Sequence, residues 1–122
     1  MTSKRKEAGD AAEQTALNHL QERGLKLLQR NYRCRGGEID LVMLERDTLV
    51  LVEVRTRSGA RYGGAAASVD ARKQKRIAMA ARHLLMTQRN LARHPARFDV
   101  VALEPQSGGS HKLEWLRDAF RL

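Results

Sequence analysis

Two near-continuous apolar runs, "EIDLVMLE" (38–45) and "TLVLVEVRT" (48–56), stand only two residues apart. Each is strand-length and rich in Val, Ile and Leu, and the polar pair Arg46-Asp47 between them suits a tight hairpin. Both runs are apolar at nearly every position rather than alternately, so each strand is expected to be covered on both faces by helices. That requirement confines the chain to a central sheet between helical layers. Within the same runs sit Asp40 and Glu53, and an ionised carboxylate in a strand interior costs several kcal/mol unless it is paired, hydrogen-bonded or bound to a metal. Something must compensate them.

The flanking segments supply the helices. From Ala8 to Glu22 the apolar positions Ala12, Ala16, Leu17 and Leu20 recur at helical spacing, with Gly24 as a stop signal. "LKLLQRNYRCR" fits a short first strand, and the Gly/Ala-rich "SGARYGGAAAS" reads as a loop. Asp70 is placed to cap a second helix whose residues Ile77, Ala80, Ala81, Leu84 and Leu85 form one apolar stripe, with Arg72, Lys75, Arg76 and Arg82 on its other faces. Pro95 closes the connection to a further strand, "RFDVVAL". The turn "EPQSGGS" then leads into an edge strand, "KLEWLRDAF", with Trp115 and Phe120 packed inward. The expected order is αβββαββ, an α/β fold in one domain over residues 1–122, long enough to bury roughly two thirds of its unfolded surface.

Charge is distributed unevenly. Residues 1–54 carry nine Lys/Arg and nine Asp/Glu, and residues 98–122 carry three and four. Residues 55–97 carry eleven Lys/Arg against the single Asp70, a local balance of +10 in a chain whose net charge is +9. Such a segment is the footprint of a phosphate-backbone binder, and an evenly soluble surface would mix signs instead. A solvated basic face, or docking on an acidic protein partner, would need the same charge. The lone Cys34 can form no internal disulfide, and neither it nor His19, His83, His94 and His111 fall at zinc-ligand spacing, which points to a reducing, cytoplasmic setting. The basic start Lys4-Arg5-Lys6 runs into "EAGDAAEQT" without an apolar core, so neither a signal peptide nor a membrane anchor is expected.

The hairpin relates the two acids. With its turn at Arg46-Asp47, residues whose numbers sum to about 93 face each other, which makes Asp40 and Glu53 cross-strand neighbours. Glu53 and Arg55, two apart on one strand, share a face. Two bare carboxylates ~5 Å apart repel by about 3 kcal/mol at an effective dielectric of 20, so a proton, Arg55 or a divalent cation must intervene. Mg²⁺ suits the pair because it accepts one or two carboxylates, keeps several waters and shares its remaining sites with phosphate oxygens. A structural salt bridge to Arg55 is the competing reading.

At "GEID" (37–40), followed after twelve residues by "EVRTR" (53–57), the chain resembles the YraN family of small bacterial proteins, also called UPF0102, and through it the PD-(D/E)xK nucleases and archaeal Holliday-junction resolvases. The resemblance extends through "GDAAEQTALNHLQERG", Asn31-Tyr32, "LVLVEVRTR", "YGGAAASVDARKQKRI", "RFDVV" and "DAF". It implies a restriction-endonuclease-like core with a mixed sheet, and a Mg²⁺- or Mn²⁺-dependent endonuclease site acting on DNA, branched forms included. In that site Asp40 and Glu53 hold the metal. Glu38, two residues before Asp40, and Glu13 on the first helix are further metal-ligand candidates, with an exposed strand-end acid and a local helix pairing as their respective alternatives. Related resolvases act as dimers, so a homodimer is implied as well.

The chain departs from the nuclease motif at Arg55, where the motif has lysine. Arginine, with a pKa above ~12, cannot act as a base, although it can orient a phosphate and stabilise transition-state charge. Lys73 could offer an ammonium to the same site or be an ordinary solvated helix lysine. Arg57, Arg72, Lys73, Lys75 and Arg76 are candidate phosphate contacts, and Arg61 with Tyr62 could grip phosphate and stack on an unpaired base. Two functions stay open on these residues: a metal-dependent nuclease, and a nuclease-fold protein that binds nucleic acid or an acidic partner without cutting.

Overall fold

The computed structural model describes residues 4–56 and 69–121, with side chains described from residue 9 onward. The elements are α1 (Lys4–Glu22), β1 (Lys26–Cys34), β2 (Gly37–Glu45), β3 (Thr48–Thr56), α2 (Ala71–Thr87), β4 (Ala96–Pro105) and β5 (His111–Phe120), with a short 3-10 helix over Arg89–Arg93 before β4. Apart from that extra turn, the order is the one read from the sequence. The five strands form one mixed sheet in the order β1-β2-β3-β4-β5, parallel between β3 and β4 and antiparallel elsewhere. The parallel pair follows from the α2 crossover, which returns the chain to the side of the sheet where β3 began.

The helices cover opposite faces. Ala16, Leu17 and Leu20 of α1 pack with Leu41, Met43, Val50, Val52 and Val101. Ile77, Ala80, Ala81 and Leu84 of α2 pack with Ile39, Val42, Leu49, Leu51 and Val100. Leu20, Leu41, Leu49 and Leu84 are completely buried, and removing any one to Ala would cost roughly 2–5 kcal/mol. Trp115 and Phe120 are only partly buried, packing against the α1-side and α2-side clusters respectively. Among the described residues no helix is long and apolar enough to cross a membrane.

Two local features set the frame for the site. α2 is capped by Asp70, whose Oδ1 accepts the Lys73 amide at 2.9 Å, fixing the helix start. The helix also lies almost on the backbone of β2: a Cβ at Gly37 would fall 2.1 Å from the Arg76 carbonyl oxygen and 3.0 Å from the Ala80 nitrogen. Only glycine permits that approach. It brings the first turns of α2 over the start of β2. The Tyr32 hydroxyl, hydrogen-bonded to His83 Nδ1, ties the same helix to β1.

Candidate metal and nucleic-acid site

The β2–β3 hairpin has the expected register. Glu45 faces Thr48, and the pairs run back to Leu41 facing Val52, each summing to 93. There the backbone ladder ends. One residue further on, the Asp40 side chain takes over, with its Oδ2 accepting the Val54 N–H at 2.8 Å. The face alternation of β2 also breaks at this point: Ile39 belongs to the α2-side cluster and Leu41 to the α1-side cluster, although they are two residues apart. On β1, Asn31 falls between the Arg30–Leu41 and Tyr32–Ile39 pairs and takes a left-handed φ of 52°. β2 thus turns about Asp40, and its carboxylate lies between elements from both helical layers.

Glu53 lies beside it, 4% exposed. Among the described residues its Oε2 is buried with no hydrogen-bond partner, and the Asp40 charge acts on the same carboxyl. Burial, and next the Asp40 charge, push the Glu53 carboxyl up to about 8 against the opposing pull of Lys73 and Arg55. Burial likewise raises Asp40, opposed by the Val54 hydrogen bond and by Lys73. Two acids held this way in a low-dielectric setting want a positive charge between them.

The nearest cations are unequal. Lys73 Nζ is 3.4 Å from Glu53 Oε1 and 3.9 Å from Glu38 Oε1, whereas Arg55 Nη1 is 4.0 Å from Glu53 Oε1. Lys73 is therefore not a solvated helix lysine. Its side chain is only 24% exposed because Gly37 lets α2 settle onto β2, and of the two sequence readings the geometry matches the ammonium offered to the site. Spacing along the chain could not show this, since Glu53 and Lys73 are joined through tertiary packing.

Glu38, the next candidate ligand, is shared between Lys73 and Arg33, the latter at 3.4 Å. Glu13 reaches the neighbourhood from α1. It pairs with Arg30 at 3.6 Å, and the Asn31 amide, with its nitrogen turned toward it, donates to both carboxylate oxygens at 3.2 Å. Burial raises the Glu13 carboxyl, and the Asp40 charge adds to that rise. Among the described residues no three His, Cys, Asp or Glu side chains stand close enough to form a ready metal cage. Among these residues the buried donor set is the Asp40–Glu53 pair, with Glu53 Oε2 lacking a partner. That fits Mg²⁺ or Mn²⁺, which take few carboxylates and complete their shells with water and substrate, better than an ion needing a protein cage.

Next to the carboxylates, Arg55, Arg72, Lys73 and Arg76 line a pocket of about 320 Å³ with Asp70. The acid there is already engaged as the α2 cap. Lys75 lies on the exposed surface of α2 outside this pocket. Arg57, Arg61 and Tyr62 lie outside the described residues.

Sequence reading missed one buried acid. Asp99 sits in the apolar run of β4 with 0% exposure, by the same sequence signal that marked Asp40 and Glu53. Its partners saturate it: Arg97 Nε and Nη2 donate at 3.0 and 3.2 Å, Trp115 Nε1 at 2.9 Å and the Asp118 amide at 2.9 Å. Arg97 continues to Glu45, which also holds Arg117, whose guanidinium lies 3.8 Å above the Trp115 ring. This is a structural network joining β2, β4 and β5. It has no spare acceptor for a cation.

Comparison with known proteins places residues 12–103 within the model of the uncharacterised protein family UPF0102. A UPF0102 protein of Pseudomonas entomophila (strain L48) is 55% identical over 113 residues, covering 93% of this chain and 92% of the relative. One of Cupriavidus taiwanensis is 58% identical over 118 residues, covering 95% and 84%. One of Pseudomonas putida (strain GB-1) is 54% identical over 113 residues, covering 93% and 92%.

Proposed function

The chain belongs to the uncharacterised protein family UPF0102, and from that membership and the site geometry we propose that it binds nucleic acid and acts as a metal-dependent endonuclease on DNA, branched forms included. The observation that carries the reading is the contrast between two buried acids. Among the described residues Asp99 has every acceptor satisfied, whereas Glu53, nearly as enclosed, keeps Oε2 without a partner beside a second carboxylate. A structural salt bridge would not leave that oxygen unpaired at a cost of about 1–3 kcal/mol.

Asp40 and Glu53 would hold Mg²⁺ or Mn²⁺. Such an ion supplies Lewis acidity, which makes an attacking water more acidic and neutralises charge building on the phosphoryl oxygens. Arg55, Arg72 and Arg76 would hold the flanking phosphates in the adjoining pocket, and the +10 segment would supply affinity along the backbone. Arg55 at the usual lysine position favours a second reading, binding without cleavage. Calorimetric titration with Mn²⁺ separates the two, because only the nuclease reading requires an ion bound through Asp40 and Glu53. The decisive test is cleavage by Asp40→Asn across a panel of duplex, single-stranded and branched DNA. Loss of Mn²⁺-dependent cutting with binding retained supports the assignment. Cutting at the wild-type rate rejects it.

A further inference from the structure

We propose that Lys73 is a tethered cation that holds the place of the divalent ion beside Glu53 and, once that ion binds, is released into the basic pocket to hold the substrate phosphate. Metal and phosphate then strengthen each other's binding. The inference rests on the site reading above and adds the link between its two halves.

The geometry gives one ammonium two positions. Lys73 Nζ lies 3.4 Å from Glu53 Oε1 and 3.9 Å from Glu38 Oε1, and the same side chain lines the pocket with Arg55, Arg72 and Arg76. Its backbone does not need to move. The Lys73 amide is fixed by the Asp70 cap at 2.9 Å, so rotation of the flexible four-carbon stem is sufficient. A divalent ion and an ammonium cannot share Glu53 Oε1 without mutual repulsion, and the ion brings the larger charge. Displaced, the ammonium has three cationic neighbours in the pocket, a crowding that a phosphate relieves by accepting hydrogen bonds from all of them. In the metal-free protein the reverse holds, because Glu53 keeps Lys73 away from phosphate.

By linkage, the gain in phosphate affinity on adding metal equals the gain in metal affinity on adding phosphate. The test is a double-mutant cycle in EDTA, reading the affinity of a short fluorescein-labelled DNA for wild type, Glu53→Gln, Lys73→Gln and the double variant. Glu53→Gln should tighten DNA binding by at least about fivefold, and the gain should vanish when Lys73 is also replaced. An equal gain in both backgrounds would mean simple charge removal and overturn the inference.

A second arm titrates Mn²⁺ calorimetrically. Lys73→Gln should bind Mn²⁺ several-fold more tightly than wild type, while Arg82→Gln, removing the same charge from the same helix outside the pocket, should not. Unchanged or weaker Mn²⁺ binding in Lys73→Gln overturns the place-holding role. If wild type binds no Mn²⁺, the site reading falls together with that role. The metal-free cycle, which needs no ion, still decides whether Glu53 restrains Lys73.

Discussion

Asp40 accepts the Val54 amide at 2.8 Å, so a side chain of one strand satisfies the backbone of its neighbour at the point where their ladder stops. One carboxylate thereby does two jobs: one oxygen holds the fork between β2 and β3 open, and the residue contributes its charge to the site. The two jobs separate by mutation. Asp40→Asn keeps an oxygen acceptor for Val54 and should unfold in urea within about 1 kcal/mol of wild type. Asp40→Leu strands the amide and should lose roughly 1–3 kcal/mol. Equal losses in the two variants would mean that the hydrogen bond does not support the fork.

Glu53 gives the metal-free protein a pH signature. Its carboxyl is raised from the ordinary 4.5 to about 8, so the folded state binds a proton that the unfolded state releases. The contribution is therefore fully present below about pH 4.5, declines as pH rises, and is lost above about 8. Asp40 and Glu13 are raised as well and act in the same direction, whereas Glu45, lowered by Arg97 and Arg117, acts oppositely at acid pH. Comparing denaturation midpoints with Glu53→Gln from pH 5 to 9 isolates the one group. Wild type should lose ground to the variant across that range, by on the order of a few kcal/mol. Parallel curves would contradict the assignment.

Asp99→Ala leaves Arg97, Trp115 and the Asp118 amide without their acceptor, and breaking a buried ion pair of this kind costs about 3–5 kcal/mol. DNA affinity of the folded fraction should stay as in wild type. A weakened DNA complex with unchanged stability would assign Asp99 to the wrong role.

Gly37→Ala would place a methyl 2.1 Å from the Arg76 carbonyl oxygen and force α2 off β2. Overpacking against backbone costs about 1–3 kcal/mol or more. The shift also carries Lys73 away from Glu53, so the variant should lose stability while the Glu53 carboxyl, freed of an opposing cation, rises further. A thermal midpoint unchanged from wild type would show that the helix yields freely.

Arg72 and Arg76, if they contact phosphate, each contribute about one unit to the slope of log affinity against log salt. The double alanine variant should bind DNA more weakly and less steeply with salt than wild type. An unchanged slope would move the DNA path away from this pocket.

The sequence by itself determined the hairpin and its register from Glu45–Thr48 to Leu41–Val52, because a two-residue turn leaves the strands one way to pair, whereas Asp40 comes beside Glu53 where β2 turns out of that ladder. It also determined both helices and the Asp70 cap, through apolar spacing and a side chain that reaches only three residues along. Asp40, Glu53 and Asp99 look alike in sequence, each an acid inside an apolar run. Tertiary structure alone decided that β5 and Arg97 saturate Asp99 while one oxygen of Glu53 stays unpartnered among the described residues, and that Lys73, twenty positions from Glu53, reaches it across the α2–β2 contact at Gly37. The physical reason is range: local geometry follows from neighbouring residues, but the compensation of a buried charge comes from whichever distant groups the packed fold carries within a few ångströms.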